Sequence, residues 1–177
     1  MKSQPATVSS KGKNLRPSIS GVVTDTRPVH PDHRGRLVEI YRGEDDLIFS
    51  EPVRWIYSWS VRAGRLKGWG KHEKNIDRYV LVSGEVSVVL FDARKDSTTF
   101  KQIQIVQMSH QNVQMLLIPA GVWHLTYNPS EEEAYLLNFK TVPYNYDAPD
   151  KQLLAWNTDE IPFDVAAFIS GTNLSAL

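Results

Sequence analysis

The sequence contains no cysteine. Disulfide staples, thiolate nucleophiles and thiolate metal sites are therefore excluded. It also lacks net charge, because 20 Lys and Arg balance 20 Asp and Glu. A general affinity for polyanions needs a basic excess, so nucleic acid is not an expected partner. No apolar run approaches the ~20 residues that span a bilayer. The N-terminal stretch MKSQPATVSSKGKNLRPSIS is polar and basic and has no apolar segment of the secretory type, so a cytoplasmic location is expected. Helical periodicity is scarce too. What remains is an ordinary globular composition, 41% hydrophobic and 23% charged over 177 residues, enough for one well-filled core.

The chain divides into a flexible arm, residues 1–20, and a single domain, residues 21–177. From Gly21 onward the segments GVVTDTRPV, RLVEIYR, VRWIYSWSV, DRYVLVSGEVSVVLFDAR, FKQIQIVQM, VQMLLIPAG, HLTYN and EAYLLNFKTV are short and rich in β-branched and aromatic residues. Turn formers separate them. The pattern predicts an all-β sandwich or barrel. Asp77–Val82 and Glu85–Phe91 flank Ser83-Gly84 and are expected to form a hairpin. Helix is expected only around Asp164–Ile169 and briefly near Glu44–Phe49, and Tyr144–Asp150 is expected to cross the barrel mouth as a loop.

Two stretches concentrate the chemistry. In Ile118-Pro119-Ala120-Gly121-Val122-Trp123-His124, Pro119 and Gly121 build a turn that leads into a strand. Alternation then sets His124, Thr126 and Asn128 on one face. The second stretch, LKGWGKHEKNIDRYVLVSGE, places His72 two residues beyond Gly70 and carries Lys67, Trp69, Asp77 and Tyr79. His72 reads equally as a surface residue of a Lys-rich turn or as a base or ligand. Asp77 reads as a pairing partner of Arg78 or Lys74, or as part of a site.

The first stretch, ending at Asn128, fits P-x-G-x-x-H-x-x-x-N and resembles the second cupin motif. The other resembles the first cupin motif, with Gly64 and Gly84 at its ends, His72 at the second His position, Asp77 at the Glu position and Gly70 in place of the first His. The implied fold is a cupin jelly roll with a short C-terminal helical segment. A narrower resemblance covers most of the chain after Gly21. Asp32-His33-Arg34-Gly35-Arg36-Leu37-Val38-Glu39 matches D-x-R-G-x-(F/L)-x-E, and Gly64-Arg65-Leu66-Lys67-Gly68 is similar to G-x-L-R-G. Phe91 through Phe100 resembles D-x-R-x-x-S-x-T-(F/Y), and Tyr146, Pro149 and Trp156-Asn157 follow the Y-x-P…W-N order. The set is similar to the dTDP-4-dehydrorhamnose 3,5-epimerase family.

That resemblance implies proton removal beside the C4 ketone of a nucleotide-linked 6-deoxyhexose, by epimerisation or ketone migration, in deoxysugar or polysaccharide biosynthesis. It implies a homodimer and neither metal nor organic cofactor. Such chemistry needs a base and donors that hold an enolate oxygen. The family's general-base histidine falls on Gly70, its lysine on Asp77, and its proton-donating tyrosine near Leu137 or Asn138. His72 is the expected replacement base. His124 and Lys67 are expected to stabilise enolate or substrate, Arg34 to contact phosphate, and Trp69 to stack on a sugar or base. Asp77, Tyr79 and Asn128 complete the expected substrate site, with Tyr79 as a candidate proton donor. Two alternatives stand beside this reading. His72, Asp77 and His124 form a two-histidine, one-carboxylate set suited to Fe(II), Mn(II) or Zn. The absent base and donor also suit a sugar-nucleotide binder without catalysis.

Overall fold

The computed structural model describes residues 7–11, 17–43, 47–112 and 114–171. Twelve strands and one short helix are present among them. In chain order the strands are β1 (Val23–Thr26), β2 (Val29–Asp32), β3 (Gly35–Val38), β4 (Trp55–Val61), β5 (Leu66–Lys71), β6 (Asp77–Ser83), β7 (Glu85–Asp92), β8 (Ile103–Ser109), β9 (Gln114–Ile118), β10 (Val122–Tyr127), β11 (Ala134–Lys140) and β12 (Gln152–Leu153). Helix α1 (Val165–Ile169) follows, with Asp164 as its N-cap accepting the Ala167 N–H. A single 3₁₀ turn occupies Leu47–Phe49, the described part of the expected Glu44–Phe49 helix.

The first sheet runs β1-β9-β6-β11-β4 and the second β12-β5-β10-β7-β8. Every pairing is antiparallel. The all-β jelly-roll expectation holds. β2 and β3 form a separate two-stranded ribbon.

Alternation explains how both sheets fill their faces. Leu81, Val86, Val88, Leu90, Leu116 and Leu136 form the layer between them. The odd-numbered residues of β10, Trp123, Leu125 and Tyr127, turn outward with Trp69, Val89 and Phe91 to pack under Ile161 and Val165 near α1. The first sheet's outer face is covered by Ile48 and Phe49, packed on Val80, Met115 and Phe139. Because both faces are covered, β7 is buried over seven of its eight residues and reads as a continuous apolar run.

Two expectations are corrected. β6 and β7 do not pair with each other; β6 lies between β9 and β11, and β7 between β10 and β8. Ser83-Gly84 is therefore a corner where the chain leaves one sheet for the other. Gly84 has φ +83°, and a Cβ there would stand 2.8 Å from the Ala134 Cα, so both its conformation and its close neighbour demand glycine. The second correction concerns the arm. Ile19, counted with it, is 1% exposed, belongs to the inter-sheet core and donates its N–H to Gln104 Oε1.

The interior is apolar at one end and polar at the other. On β11, Ala134 and Leu136 lie in the core, while Asn138 and Lys140 continue the same face. On β6, Leu81 is followed toward the strand start by Tyr79 and Asp77. This change of character along two neighbouring strands creates the site.

Candidate active site

A cavity of about 660 Å³ opens at the polar end. Its walls come from both sheets. The second sheet presents His124 and Thr126 from β10, Gly68 and Gly70 from β5, and His72 just after β5. The first presents Trp55, Tyr57 and Trp59 from β4, Tyr79 from β6 and Lys140 from β11. The loop from Val142 to Lys151 forms part of the rim, as expected for Tyr144–Asp150.

Asp77 is the hub. It is 2% exposed. Its Oδ1 accepts from Lys140 Nζ at 2.5 Å and from Asn138 Nδ2 at 2.7 Å. Its Oδ2 faces His72 Nε2 at 3.5 Å and His124 Nε2 at 3.6 Å. Burial alone would raise the carboxyl, but His124, Lys140 and His72 outweigh it and hold Asp77 down to about 2. Asp77 is thus an anion balanced by the Lys140 ammonium.

The histidines are differently placed. His124 is lowered, chiefly by burial, although Asp77 pulls it upward. Its Nδ1 points to the Val122 carbonyl at 3.3 Å. The His72 Nδ1 contacts the Asp150 carbonyl, which can only accept. In the neutral ring the proton therefore sits on Nδ1 and Nε2 carries the lone pair. The two rings stack with centroids 5.9 Å apart. Gly70 makes room for them, since a Cβ there would approach His124 Nε2 to 3.3 Å.

Asp150 also shapes this region through its carboxylate. It accepts backbone N–H groups from Glu73 (2.8 Å), Lys74 (3.0 Å) and Asn75 (2.8 Å). One residue thus ties the rim loop to the β5–β6 connection and fixes the His72 tautomer.

Of the residues singled out in the sequence, His72, His124, Lys67 and Tyr79 line the cavity, and Asp77 lies directly behind the histidines. Lys67 Nζ sits over the Trp59 ring at 5.6 Å. Tyr79 is 6% exposed, lies edge-on to His124 and is raised well above the ordinary phenol value, first by burial and then by Asp77. Two expectations are corrected, those for Trp69 and Asn128. Trp69 alternates with Gly68 and Gly70, so it points to the opposite face and is buried against Phe163. Asn128 lies one residue beyond β10 and is 0% exposed. Its amide staples a turn, donating to the Val61 and Glu132 carbonyls and accepting from Ser130. Arg34 sits at the tip of the β2–β3 ribbon, 77% exposed and paired with Asp32 at 2.6 Å, outside the cavity lining.

Sequence reading missed Tyr57, Asn138, Lys140, Asp150 and Trp59. A usable signal existed for two of them. In EAYLLNFKTV the polar Asn138 and Lys140 share one face of a strand that is otherwise largely apolar. The Trp59 indole Nε1 is buried with no hydrogen-bond partner among the described residues.

His72, Asp77 and His124 offer ligand atoms that all lie within 4.8 Å of one another, so they are able to hold a metal ion. The Lys140 ammonium on Asp77 Oδ1 opposes a second cation there.

Two facing sheets with a histidine–carboxylate cluster at one mouth define a cupin-type jelly roll. Residues 16–176 match the model of the dTDP-4-dehydrorhamnose 3,5-epimerase family. The probable low-salt glycan biosynthesis epimerase Agl13 of Haloferax volcanii is 32% identical over 88% of this chain and 99% of its own. The spore coat polysaccharide biosynthesis protein SpsL of Bacillus subtilis is 33% identical over 82% and 95%. Among solved structures, a dTDP sugar isomerase from Desulfovibrio desulfuricans shares the fold with TM-score 0.77 and 24% identity, covering 90% of this chain and 97% of that one. The chain belongs to the dTDP-4-dehydrorhamnose 3,5-epimerase family.

Proposed function

We propose that this protein epimerises a nucleotide-linked 4-keto-6-deoxyhexose, or moves its ketone, by proton removal at a carbon beside the carbonyl. One observation carries the reading. His72 has its Nδ1 proton committed to Asp150, its Nε2 lone pair at the cavity, and the buried Asp77 anion 3.5 Å from that nitrogen. A histidine so arranged accepts a proton and gains an ion-pair partner as it does so.

His72 is the base in this reading. His124 is lowered chiefly by burial, directs its Nδ1 at the Val122 carbonyl and lines the cavity beside His72, where it contacts the substrate. Lys67 lies on the cavity wall and offers a cation to the substrate's phosphates. Names of relatives support the substrate class, since the family description and the Desulfovibrio structure both concern dTDP sugars. A cytoplasmic homodimer belongs to the same reading, and its dimeric state is checked by mass in solution.

The test is incubation with dTDP-4-keto-6-deoxyglucose in deuterated water. Deuterium entering at C3 or C5 is the expected result, and its loss in His72→Asn assigns the base. Tight binding without exchange would instead make the protein a sugar-nucleotide binder. A second reading, a metal-dependent cupin, is favoured by the His72–Asp77–His124 spacing. Activity that survives chelation and does not track metal content removes it.

A further inference from the structure

Epimerisation by inversion imposes a geometric demand that one histidine cannot meet. The proton leaves from one face of the sugar ring and must return to the other. A group that both removes and restores it on one face gives exchange with retention. The cavity places its histidines on the second sheet's side, so the acid must be sought on the first sheet's wall. From Tyr57, Asn138, Asp77 and the histidines we propose that the Tyr57 hydroxyl delivers the proton to the ring face opposite His72, making Tyr57 a catalytic residue. This rests on the epimerase reading above.

The hydrogen bonds orient the phenol for that role. Asn138 Oδ1 accepts the Arg78 backbone N–H at 3.0 Å. That fixes the amide, so its NH₂ group must face the other way. Nδ2 donates to Asp77 Oδ1 at 2.7 Å and to Tyr57 Oη at 2.8 Å. Tyr57 therefore receives a hydrogen bond from Asn138, and its own O–H remains available to the cavity it lines. Asn138 is a positioning residue. Burial first, then Asp77, pushes Tyr57 up to about 12, so the phenol keeps its proton at neutral pH. The Trp55 ring packs against Tyr57, 4.7 Å away by centroid.

The step balances. His72 Nε2 takes the proton from the carbon beside the ketone, and the C–H electron pair becomes the enolate double bond. The Tyr57 O–H then breaks and its proton joins the same carbon from the far face, with the carbonyl reforming. The resulting phenolate takes a proton from water, and the imidazolium returns one to water.

The experiment separates exchange from inversion in Tyr57→Phe, using dTDP-4-keto-6-deoxyglucose in deuterated water. The expected result is deuterium wash-in within about tenfold of wild type, on carbon of retained configuration, while epimerised product falls about 100-fold or more. Tyr57→Phe that epimerises as well as it exchanges overturns the assignment and leaves the epimerase reading intact. Wild-type protein that exchanges no proton removes the epimerase reading, and this inference with it. As a second measurement, 3,5-difluorotyrosine at position 57 should move the alkaline limb of the epimerisation profile to lower pH. An unmoved limb also overturns the proposal.

Discussion

Asp77 and Lys140 each carry a charge at a place where only 2% of the side chain meets solvent. A pair so deeply buried is costly to assemble and costly to break singly. Asp77→Asn leaves the ammonium without an anion and should destabilise the protein by about 3–5 kcal/mol. Lys140→Met should cost less, because His72 and His124 already face Asp77 and one of them can take up a proton in compensation. Its penalty should accordingly shrink as pH falls from 8 to 6. The double substitution should recover most of the loss of Asp77→Asn. Denaturant melts of the three variants at two pH values check this; equal, additive losses would contradict the coupled pair. The same residues show what was legible beforehand. His72, Asp77 and His124 stand at positions that short motifs mark. Lys140 left only a trace, as a polar residue on one face of a largely apolar strand, whereas Tyr57 is an ordinary strand residue that only the pairing of β4 with β11 brings to the hub. Trp69 was misread for a simpler reason: glycines on both sides of it already marked the opposite face as the cavity side.

At the scale of elements, strand existence followed from composition, while pairing did not. DRYVLVSGEVSVVLFDAR contains two strands around a tight turn, the usual hairpin signature, but the turn is a corner between sheets. Deciding that required the neighbour packed on Gly84, which is Ala134, fifty residues away. The motif from Phe91 to Phe100 was legible as a unit and has a local cause. The Asp92 carboxylate accepts from Arg94, Ser97 and Thr99, closing the loop between β7 and β8. Asp150 does the same for two segments far apart in sequence. Asp150→Ala removes three backbone acceptor contacts and should loosen both the Val142–Lys151 rim and the Glu73–Asn75 turn. Amide exchange should rise in those two segments together while β7 and β8 remain protected. Asp150→Asn, which keeps one acceptor oxygen, should show a smaller rise. Exchange that rises in the rim alone would mean that the carboxylate does not latch the two segments.

For the whole molecule, these local arrangements act in one direction on stability against pH. Asp77, Asp92 and Asp150 all lie below the ordinary carboxylate value: burial would raise each, and hydrogen bonds or neighbouring cations overcome it. Lowered carboxylates contribute stability that is complete above the unfolded value of about 3.8 and vanishes as pH falls through the folded values. For Asp77, a fall from 3.8 to about 2 corresponds to on the order of 2 kcal/mol. His124 is also lowered, from 6.5, because burial favours its neutral form. Its contribution is complete above that value and is lost below it, at higher pH than the carboxylates. Thermal stability should therefore be level above neutrality and fall in two stages on acidification, the first beginning near pH 6.5 and the second below about 4. His124→Gln should remove the first stage and keep the second, since a neutral amide has no proton to gain. Asp77→Asn should shrink the second stage and leave the part that Asp92 and Asp150 contribute, because the ion pair that acid would break is already lost. A melting profile that instead falls in one step, unchanged by His124→Gln, would show that His124 does not titrate differently in the folded and unfolded chains.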